Sequence, residues 1–128
     1  MTRKAVSTDK APQAIGPYSQ AIQAGSLLFV SGQIPIDPGT GEVRAGDIRE
    51  QAQLVLNNLR AIVEEAGGTM SHVVKTTIFL ADLSDFAAVN EVYAQFFDQP
   101  PPARATVEVA ALPKGVGVEI EAVAWLPA

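Results

Sequence analysis

The sequence predicts an α+β fold in which two helices cover one face of a sheet of about five strands. Segments with strand-like composition and segments with helical periodicity follow one another in the order strand, strand, helix, strand, helix, strand, strand. The chain of 128 residues is 48% hydrophobic and 18% charged, which suits a single domain spanning residues 1–128. Two helices cannot cover both faces of such a sheet, so we expect the second face to have another partner.

The first two strands are predicted to form a hairpin. Two β-rich runs, at residues 19–24 and 27–33, are separated by Gly25 and Ser26, a two-residue turn signal. The loop DPGTGE follows. Its GTG lacks both the strand–loop–helix setting and the lysine of a phosphate-binding loop, so we assign it no such role.

The next segment carries the strongest helix signal in the chain. Asp47 is a candidate N-cap with Glu50 three residues later, as in a capping box. Gly67 and Gly68 end the helix, because glycine tolerates the left-handed conformation that follows many helices. One apolar stripe connects these ends and consists of Ile48, Ala52, Val55, Leu59, Ile62 and Ala66.

The second half predicts a strand at 73–80, a second helix and two final strands. Ser84 is the candidate cap of this helix, and the prolines at 100–102 end it. Phe86, Val89, Tyr93 and Phe96 line one of its faces. The strands at 104–109 and 117–125 are joined by LPKGVG, and we expect them to pair with each other.

The last strand indicates what the uncovered face of the sheet carries. Its alternation places Val118, Ile120, Ala122 and Ala124 on one face and Glu119, Glu121, Val123 and Trp125 on the other. A solvent-facing surface seldom ends in tryptophan. We therefore expect a subunit interface there.

Composition excludes several classes of function. The chain has no cysteine, so it has no disulfide, thiolate metal site or cysteine nucleophile, and its single histidine, His72, cannot form a histidine cluster. A net charge of −5 disfavours nucleic acid as a partner. No apolar stretch is long enough to span a bilayer, and the N-terminus has no hydrophobic signal region, so we expect a cytoplasmic protein without a membrane partner.

In the stretch PPPARATVEV, Arg104 follows a run of three prolines at the start of a predicted strand. Three prolines fix an extended approach to the strand and so deliver this arginine at a defined place. Glu119 begins the strand with which we expect the Arg104 strand to pair. The simplest interpretation is an ion pair at the rim of the sheet, worth about 0.2–1 kcal/mol.

Read together, five segments resemble the RidA subgroup of the Rid (YjgF-type) family of reactive intermediate deaminases. They are AIGPYSQAI, FVSGQIPIDPGTGE, QAQLVLNNLRAIVEEAG, VVKTTIFLADLSDFAAVNEVY and PARATVEVAALPKGVGVEIEAVA, which together reach from about residue 11 to residue 124. The combination of SGQIP, PAR before a strand, and VEIEAVA is specific, whereas each motif alone is weak. The resemblance implies a chorismate-mutase-like fold and a homotrimer with active sites between subunits.

The resemblance also implies an activity and the residues that perform it. The activity is hydrolysis of 2-imino acids, such as 2-iminobutanoate and 2-iminopropanoate, to 2-keto acids and ammonia, without cofactor or metal. By motif, the catalytic residues are Arg104 of PAR and the first glutamate of VEIEA, Glu119. The substrate-binding residues are Arg104, Tyr18, Ser31, Gly32, Asn90 and Thr106.

The chain departs from the family pattern at Thr106, where many members have cysteine. The family uses the backbone amide at this position, so we expect the threonine side chain to be dispensable. The loop before PAR is also shorter than in many members, which alters the shape of the cleft.

Two alternative functions compete with the deaminase. One is a non-catalytic trimer that binds a small ligand in the same cleft; the presence of Arg104 favours the enzyme. The other is a ribonuclease or translation inhibitor, which the acidic charge disfavours.

Overall fold

The computed structural model describes residues 2–44 and 46–127, and all structural statements refer to these residues. Its helices and strands are β1 (Arg3–Val6), β2 (Ala21–Ala24), β3 (Leu27–Gln33), α1 (Ile48–Glu65), β4 (Val73–Leu80), α2 (Phe86–Ala94), β5 (Ala103–Glu108) and β6 (Val118–Trp125). The strands form one mixed sheet in the order β1-β2-β3-β6-β4-β5. Only β4 and β5 pair in parallel.

The predicted α+β architecture is confirmed. Both helices pack on one face of the sheet and bury the apolar side of β6, including Val118, Ile120 and Ala124. The strand β4 has the predicted bounds, as does β3, which forms the predicted hairpin with β2. The helices therefore leave the opposite face of the sheet uncovered.

The uncovered face, which we call the open face, is apolar over much of its area. Trp125 is 65% exposed and pairs in register with Leu27, and Val123 pairs with Phe29, which is 47% exposed. At the far edge, Val107 of β5 is also exposed. These side chains follow the predicted alternation. Apolar side chains on one face of the sheet are buried under the helices, and those on the open face form an exposed apolar strip.

The strand β1 was not predicted from the sequence. It is a four-residue edge strand in which only Val6 is buried, so it shows no clear alternation. Its existence depends on antiparallel pairing with β2, in which Val6 lies opposite Ala21. A contact between distant segments of the chain leaves little local signal in so short a run.

The predicted pairing of the last two strands is wrong. β5 pairs only with β4, in parallel, and β6 lies on the other side of β4. The chain enters β5 from α2, and a strand–helix–strand connection of this kind places its two strands in parallel. The segment LPKGVG is therefore not a hairpin turn but a connection that crosses β4.

The helix α1 begins and ends as predicted. The Asp47 carboxylate accepts a hydrogen bond from the Glu50 amide at 3.0 Å, and Gly67 has a φ of +92°, in the left-handed region. The predicted stripe is buried at its centre. The periodicity did not predict buried Asn58, whose side-chain amide donates to the Ile36 carbonyl at 2.9 Å.

The start of α2 differs from the prediction. Ser84 does not cap the helix: the Asp82 carboxylate accepts from the Ser84 amide at 2.9 Å and begins a short 3₁₀ turn that leads into Phe86. An aspartate two residues earlier competes for this amide by forming a local turn. Phe86 also lies outside the core and is 39% exposed, whereas Val89 and Tyr93 are buried as predicted.

In the part of the chain that the structure describes, no helix combines the length and the hydropathy needed to cross a bilayer.

Candidate active site

Four of the predicted site residues surround one cleft of about 610 Å³, which we call the glutamate cleft. They are Tyr18, Ser31, Gly32 and Glu119. The adjacent strands β3 and β6 supply Gly32 and Glu119, and the loop before β2 supplies Tyr18. The cleft thus combines an aromatic hydroxyl, a serine and a carboxylate with apolar walls from Ile15, Ile34 and Ile36.

The Glu119 carboxylate occupies the space that a side chain at Gly32 would fill. A Cβ atom on Gly32 would lie 2.9 Å from Cδ of Glu119, closer than carbon atoms normally approach, and closer still to one carboxylate oxygen. The absence of a side chain at position 32 therefore lets the carboxylate lie against the backbone of β3. A larger residue there would displace the carboxylate.

Burial raises the pKa of Glu119, and the neighbouring charge of Glu121 raises it further. Both effects disfavour the ionised carboxylate, the first by removing water and the second by repulsion between like charges. A carboxyl group whose pKa moves towards neutrality is a better proton acceptor and donor near pH 7.

The loop that carries Tyr18 is held by one buried side chain. Gln20 accepts a hydrogen bond from the Thr8 amide at 2.7 Å and donates to the Pro12 carbonyl at 2.7 Å. It also donates to the carbonyls of Thr8 and Ala11, at 3.1 and 3.3 Å. This amide fixes the path of residues 8–12, of which Pro12 lines the glutamate cleft.

The side chains of Ser31 and Tyr18 each form one hydrogen bond to the backbone. The Ser31 hydroxyl donates to the Ser19 carbonyl at 2.6 Å. The Tyr18 hydroxyl accepts from the Ile15 amide at 3.4 Å, and the residue is 53% exposed. Ser31 thus joins β3 to the segment before β2, while the Tyr18 ring stands at the mouth of the cleft.

Two further predicted residues, Arg104 and Asn90, line a separate groove of about 510 Å³, the arginine groove. Pro101 and Pro102 form one of its walls, as the stiff approach to β5 predicts. The Arg104 guanidinium donates from Nη1 to Oδ1 of Asn90 at 2.7 Å. Its central carbon lies 5.0 Å from the centre of the Tyr93 ring.

Thr106 lies two residues further along β5. Its hydroxyl oxygen is buried and has no hydrogen-bond partner among the described residues. The side chain therefore gains nothing from its polar group within one chain. The expectation that only the backbone amide at this position is used stays a prediction.

The two groups of residues do not meet within one chain, and the rim ion pair of Arg104 with Glu119 is wrong. Glu119 lies opposite Phe79 of β4, whereas Arg104 lies opposite Thr76, which is buried under the helices. Residues in register point to the same face, so the two charged side chains lie on opposite faces of the sheet. Strand geometry places their Cα atoms about 14 Å apart.

Several residues that shape the glutamate cleft and the arginine groove were not predicted as site residues. Phe86 and Tyr93 were assigned only to a helix face, although their spacing from Asn90, four and three residues, was a signal that they share its side of α2. Gln20 and Lys114, which both line the glutamate cleft, lie within the segments that carry the family resemblance, but nothing in those segments marked them as site residues.

His72 ends a short 3₁₀ turn, and its ring nitrogen Nδ1 accepts a hydrogen bond from the Thr69 amide at 2.9 Å. Within residues 2–44 and 46–127, no three histidine, aspartate or glutamate side chains come together in a way that would bind a metal ion.

Comparisons with known proteins agree with the resemblance of the sequence. The profile of the endoribonuclease L-PSP family matches residues 8–126. A RutC family protein of Pyrococcus abyssi is 54% identical, over 98% of each chain. The 2-iminobutanoate/2-iminopropanoate deaminase of Mus musculus is 51% identical, over 95% of this chain and 90% of the mouse protein.

The fold is likewise similar to solved structures. The crystal structure of Escherichia coli TdcF with bound serine superposes with a TM-score of 0.92 and 50% sequence identity, over 97% of this chain and 99% of TdcF. At this identity the likeness covers both the fold and the sequence.

Proposed function

We propose that this chain, which belongs to the endoribonuclease L-PSP family, also known as the YjgF/Rid family, is a deaminase. Its substrates are 2-imino acids such as 2-iminobutanoate and 2-iminopropanoate, which it hydrolyses to 2-keto acids and ammonia. It acts as a homotrimer in which each active site lies between two copies. The glutamate cleft of one copy and the arginine groove of its neighbour form one site.

The observation that carries this proposal is the separation of the two halves. Arg104 and Glu119 point to opposite faces of the sheet, so one chain cannot place both against a small substrate. Each half is open, and the apolar strip on the open face offers a surface for a second copy. A shared site unites the anion-binding half with the acid–base half.

In the proposed site Arg104 binds the substrate and Glu119 directs the chemistry. The guanidinium holds the carboxylate of the imino acid by two parallel hydrogen bonds, which also places the adjacent C=N carbon. Glu119 orients a water molecule and accepts its proton as the oxygen bonds to that carbon. The proton passes to the imine nitrogen and gives the carbinolamine. Transfer of the carbinolamine hydroxyl proton to the amino group, through Glu119, then breaks the C–N bond, so that ammonia leaves as the keto group forms.

This chemistry demands little beyond positioning. Imines already hydrolyse in water, so holding the substrate, the water and one acid–base group together supplies the rate enhancement. The raised pKa of Glu119 suits a group that must take up and then release a proton. Tyr18, Ser31, Gly32, Asn90 and the backbone of Thr106 would form the remaining surface around the substrate.

The test follows the loss of 2-iminobutanoate, generated from threonine by a threonine dehydratase, with and without the protein. We expect the protein to accelerate this loss. Arg104→Lys keeps the charge but removes the rigid fork, so it should lower kcat/KM by about ten- to hundredfold, or roughly 1.5–3 kcal/mol. Arg49→Lys, the same change at an exposed arginine paired with Glu91, is the matched control and should leave the rate unchanged.

A parent protein that leaves the imine untouched would contradict the proposed activity. If that protein instead cleaved RNA, the ribonuclease alternative would replace it. If the parent were active and Arg104→Lys fell within about threefold of it, the deaminase would stand but Arg104 would not be the carboxylate anchor.

A further inference from the structure

We infer that Phe86 and Tyr93 are positioning residues that hold the Arg104 guanidinium ready for a substrate carboxylate. Together with Asn90 they form one face of α2, which we call the α2 cradle. The inference rests on the proposed function, because it assigns to Arg104 the task of binding the carboxylate. It adds two residues that act through Arg104 without touching the substrate.

The cradle surrounds the guanidinium on several sides. Its central carbon lies 5.0 Å from the Tyr93 ring centre and 5.5 Å from the Phe86 ring centre, both within the range of cation–π attraction. Asn90 accepts from Nη1 at 2.7 Å. The three residues are spaced by four and three positions, so one helix face presents all of them to β5.

The contacts hold the guanidinium without neutralising it. An exposed arginine has many rotamers, and restricting them costs up to about 2 kcal/mol when a ligand binds. Among the described residues no carboxylate pairs with Arg104, and Nε and Nη2 have no hydrogen-bond partner. The cradle restricts the side chain in advance while its charge and one edge of its fork stay available to an anion.

Tyr93 connects the cradle to the strand beside Arg104. Its hydroxyl forms a hydrogen bond of 2.6 Å with Thr76, and its ring packs on Phe97 with centroids 4.6 Å apart. Thr76 is the residue of β4 that lies in register with Arg104. The ring is therefore fixed to the same pair of strands from which Arg104 projects. Burial raises the pKa of Tyr93, which keeps its hydroxyl protonated.

The test uses exposed Phe86 first, because its replacement should not disturb folding. In Phe86→Leu we expect the dissociation constant of 2-oxobutanoate to rise about two- to fivefold, the contribution of one exposed cation–π contact. Phe86→Tyr keeps a ring and should bind like the parent. Tyr93→Leu should show a larger rise, whereas Tyr93→Phe, which keeps the ring but loses the hydrogen bond to Thr76, should lie between the parent and Tyr93→Leu.

A second measurement reports on Arg104 itself. The order parameter of the Arg104 Nε–H group, from ¹⁵N relaxation, should be high in the parent and fall in Phe86→Leu and Tyr93→Leu, even if those variants unfold at the same temperature. Rescue of both the order parameter and the affinity by Phe86→Tyr would separate positioning from general stability.

An Arg104 side chain that is equally ordered in all variants, with unchanged affinity for 2-oxobutanoate, would overturn the inference even if the parent is an active deaminase. If the parent bound 2-oxobutanoate but hydrolysed no imine, the proposed function would be wrong. A lower Arg104 order parameter and a lower affinity for 2-oxobutanoate in Phe86→Leu would then still show that the α2 cradle positions an arginine that binds anions.

Discussion

Glu119 and Glu121 lie two residues apart on β6 and both point to the open face. Burial is the larger cause of the raised Glu119 pKa and the Glu121 charge is the smaller. If Glu119 is the base, kcat/KM should fall as the pH falls through its pKa. Glu121→Gln removes the repulsion, so the pKa of Glu119 should decrease and the acid limb of the profile should move to lower pH. Burial remains, so part of the shift should persist.

The control for this prediction is Glu64→Gln, which changes the net charge equally at an exposed position of α1. Its pH profile should match that of the parent. If the acid limb does not move in Glu121→Gln, the ionisation of another group, or of the imine itself, determines the pH at which kcat/KM falls. The stability of the protein also depends on this group. The pKa of Glu119 is higher in the folded protein than in the unfolded chain, so its contribution to the free energy of unfolding is fully present at low pH and is lost as the pH rises through the pKa of the folded state.

At the scale of structural elements, the loop between β1 and β2 depends on Gln20. Gln20→Leu keeps the approximate size but leaves the Thr8 amide and the Pro12 carbonyl without their partners. We expect the free energy of unfolding to decrease by about 2–4 kcal/mol, because buried polar groups lose their hydrogen bonds. Urea denaturation at a fixed protein concentration measures the change, and hydrogen exchange at the Thr8 amide locates it.

Gln13→Leu is the matched control, because it makes the same substitution at an exposed position of the same loop. It should change stability by less than about 0.5 kcal/mol. Equal stability of the two variants, with unchanged protection of the Thr8 amide, would show that the loop is held by other contacts.

Most helices and strands could be predicted because their signals are local. β3 and β4 have β-rich sequences bounded by turn residues, and the ends of α1 are marked by Asp47 and Gly67. These signals depend on the conformational preferences and hydrogen-bonding capacity of a few neighbouring residues. The pattern of β6 likewise predicted which of its faces would be buried.

Apart from the hairpin of β2 and β3, the pairing of strands could not be predicted in the same way. Alternation determines which side chains share a face, but it does not say which strand lies next to which. The insertion of β6 between β3 and β4 is a contact between distant parts of the chain. The helix that lies between β4 and β5 in the sequence is a signal for their parallel pairing, but we expected β5 to pair with β6 instead.

The residues of the candidate site were identified from motifs, and their arrangement was not. Arg104 and Glu119 were expected to be neighbours on paired strands, whereas the structure separates them by a strand and a face of the sheet. Residues such as Phe86 gained a candidate role only when α2 was seen to pack over β5. Motifs thus identify side chains, while their distances depend on topology.

At the scale of the whole molecule, the open face is a candidate interface. Leu27, Phe29 and Trp125 are 41%, 47% and 65% exposed and lie side by side on β3 and β6. Apolar side chains gathered on one sheet face are typical of an interface. In the proposed trimer this face is covered and the two halves of the site are brought together. Native mass spectrometry should then give about three times the chain mass of 13.5 kDa.

Mixing two inactive variants tests whether the site is shared. Arg104→Ala chains have an intact glutamate cleft, and Glu119→Gln chains have an intact arginine groove. Unfolded together in equal amounts and refolded, they should form mixed trimers. A site is intact only where the groove of a Glu119→Gln chain meets the cleft of an Arg104→Ala chain. Random assembly of a closed ring makes this combination at about one site in four, so about a quarter of the parent activity should return.

Each variant refolded with itself is the control and should stay inactive, and native mass spectrometry of one isotopically labelled variant verifies that the chains have mixed. Recovery would require that Arg104 and Glu119 of different copies act on the same substrate, because no chain in the mixture contains both. Mixed trimers that remain as inactive as either variant alone would contradict the shared site. A site built from one chain would then require β5 to turn Arg104 to the other face of the sheet, against its register with Thr76.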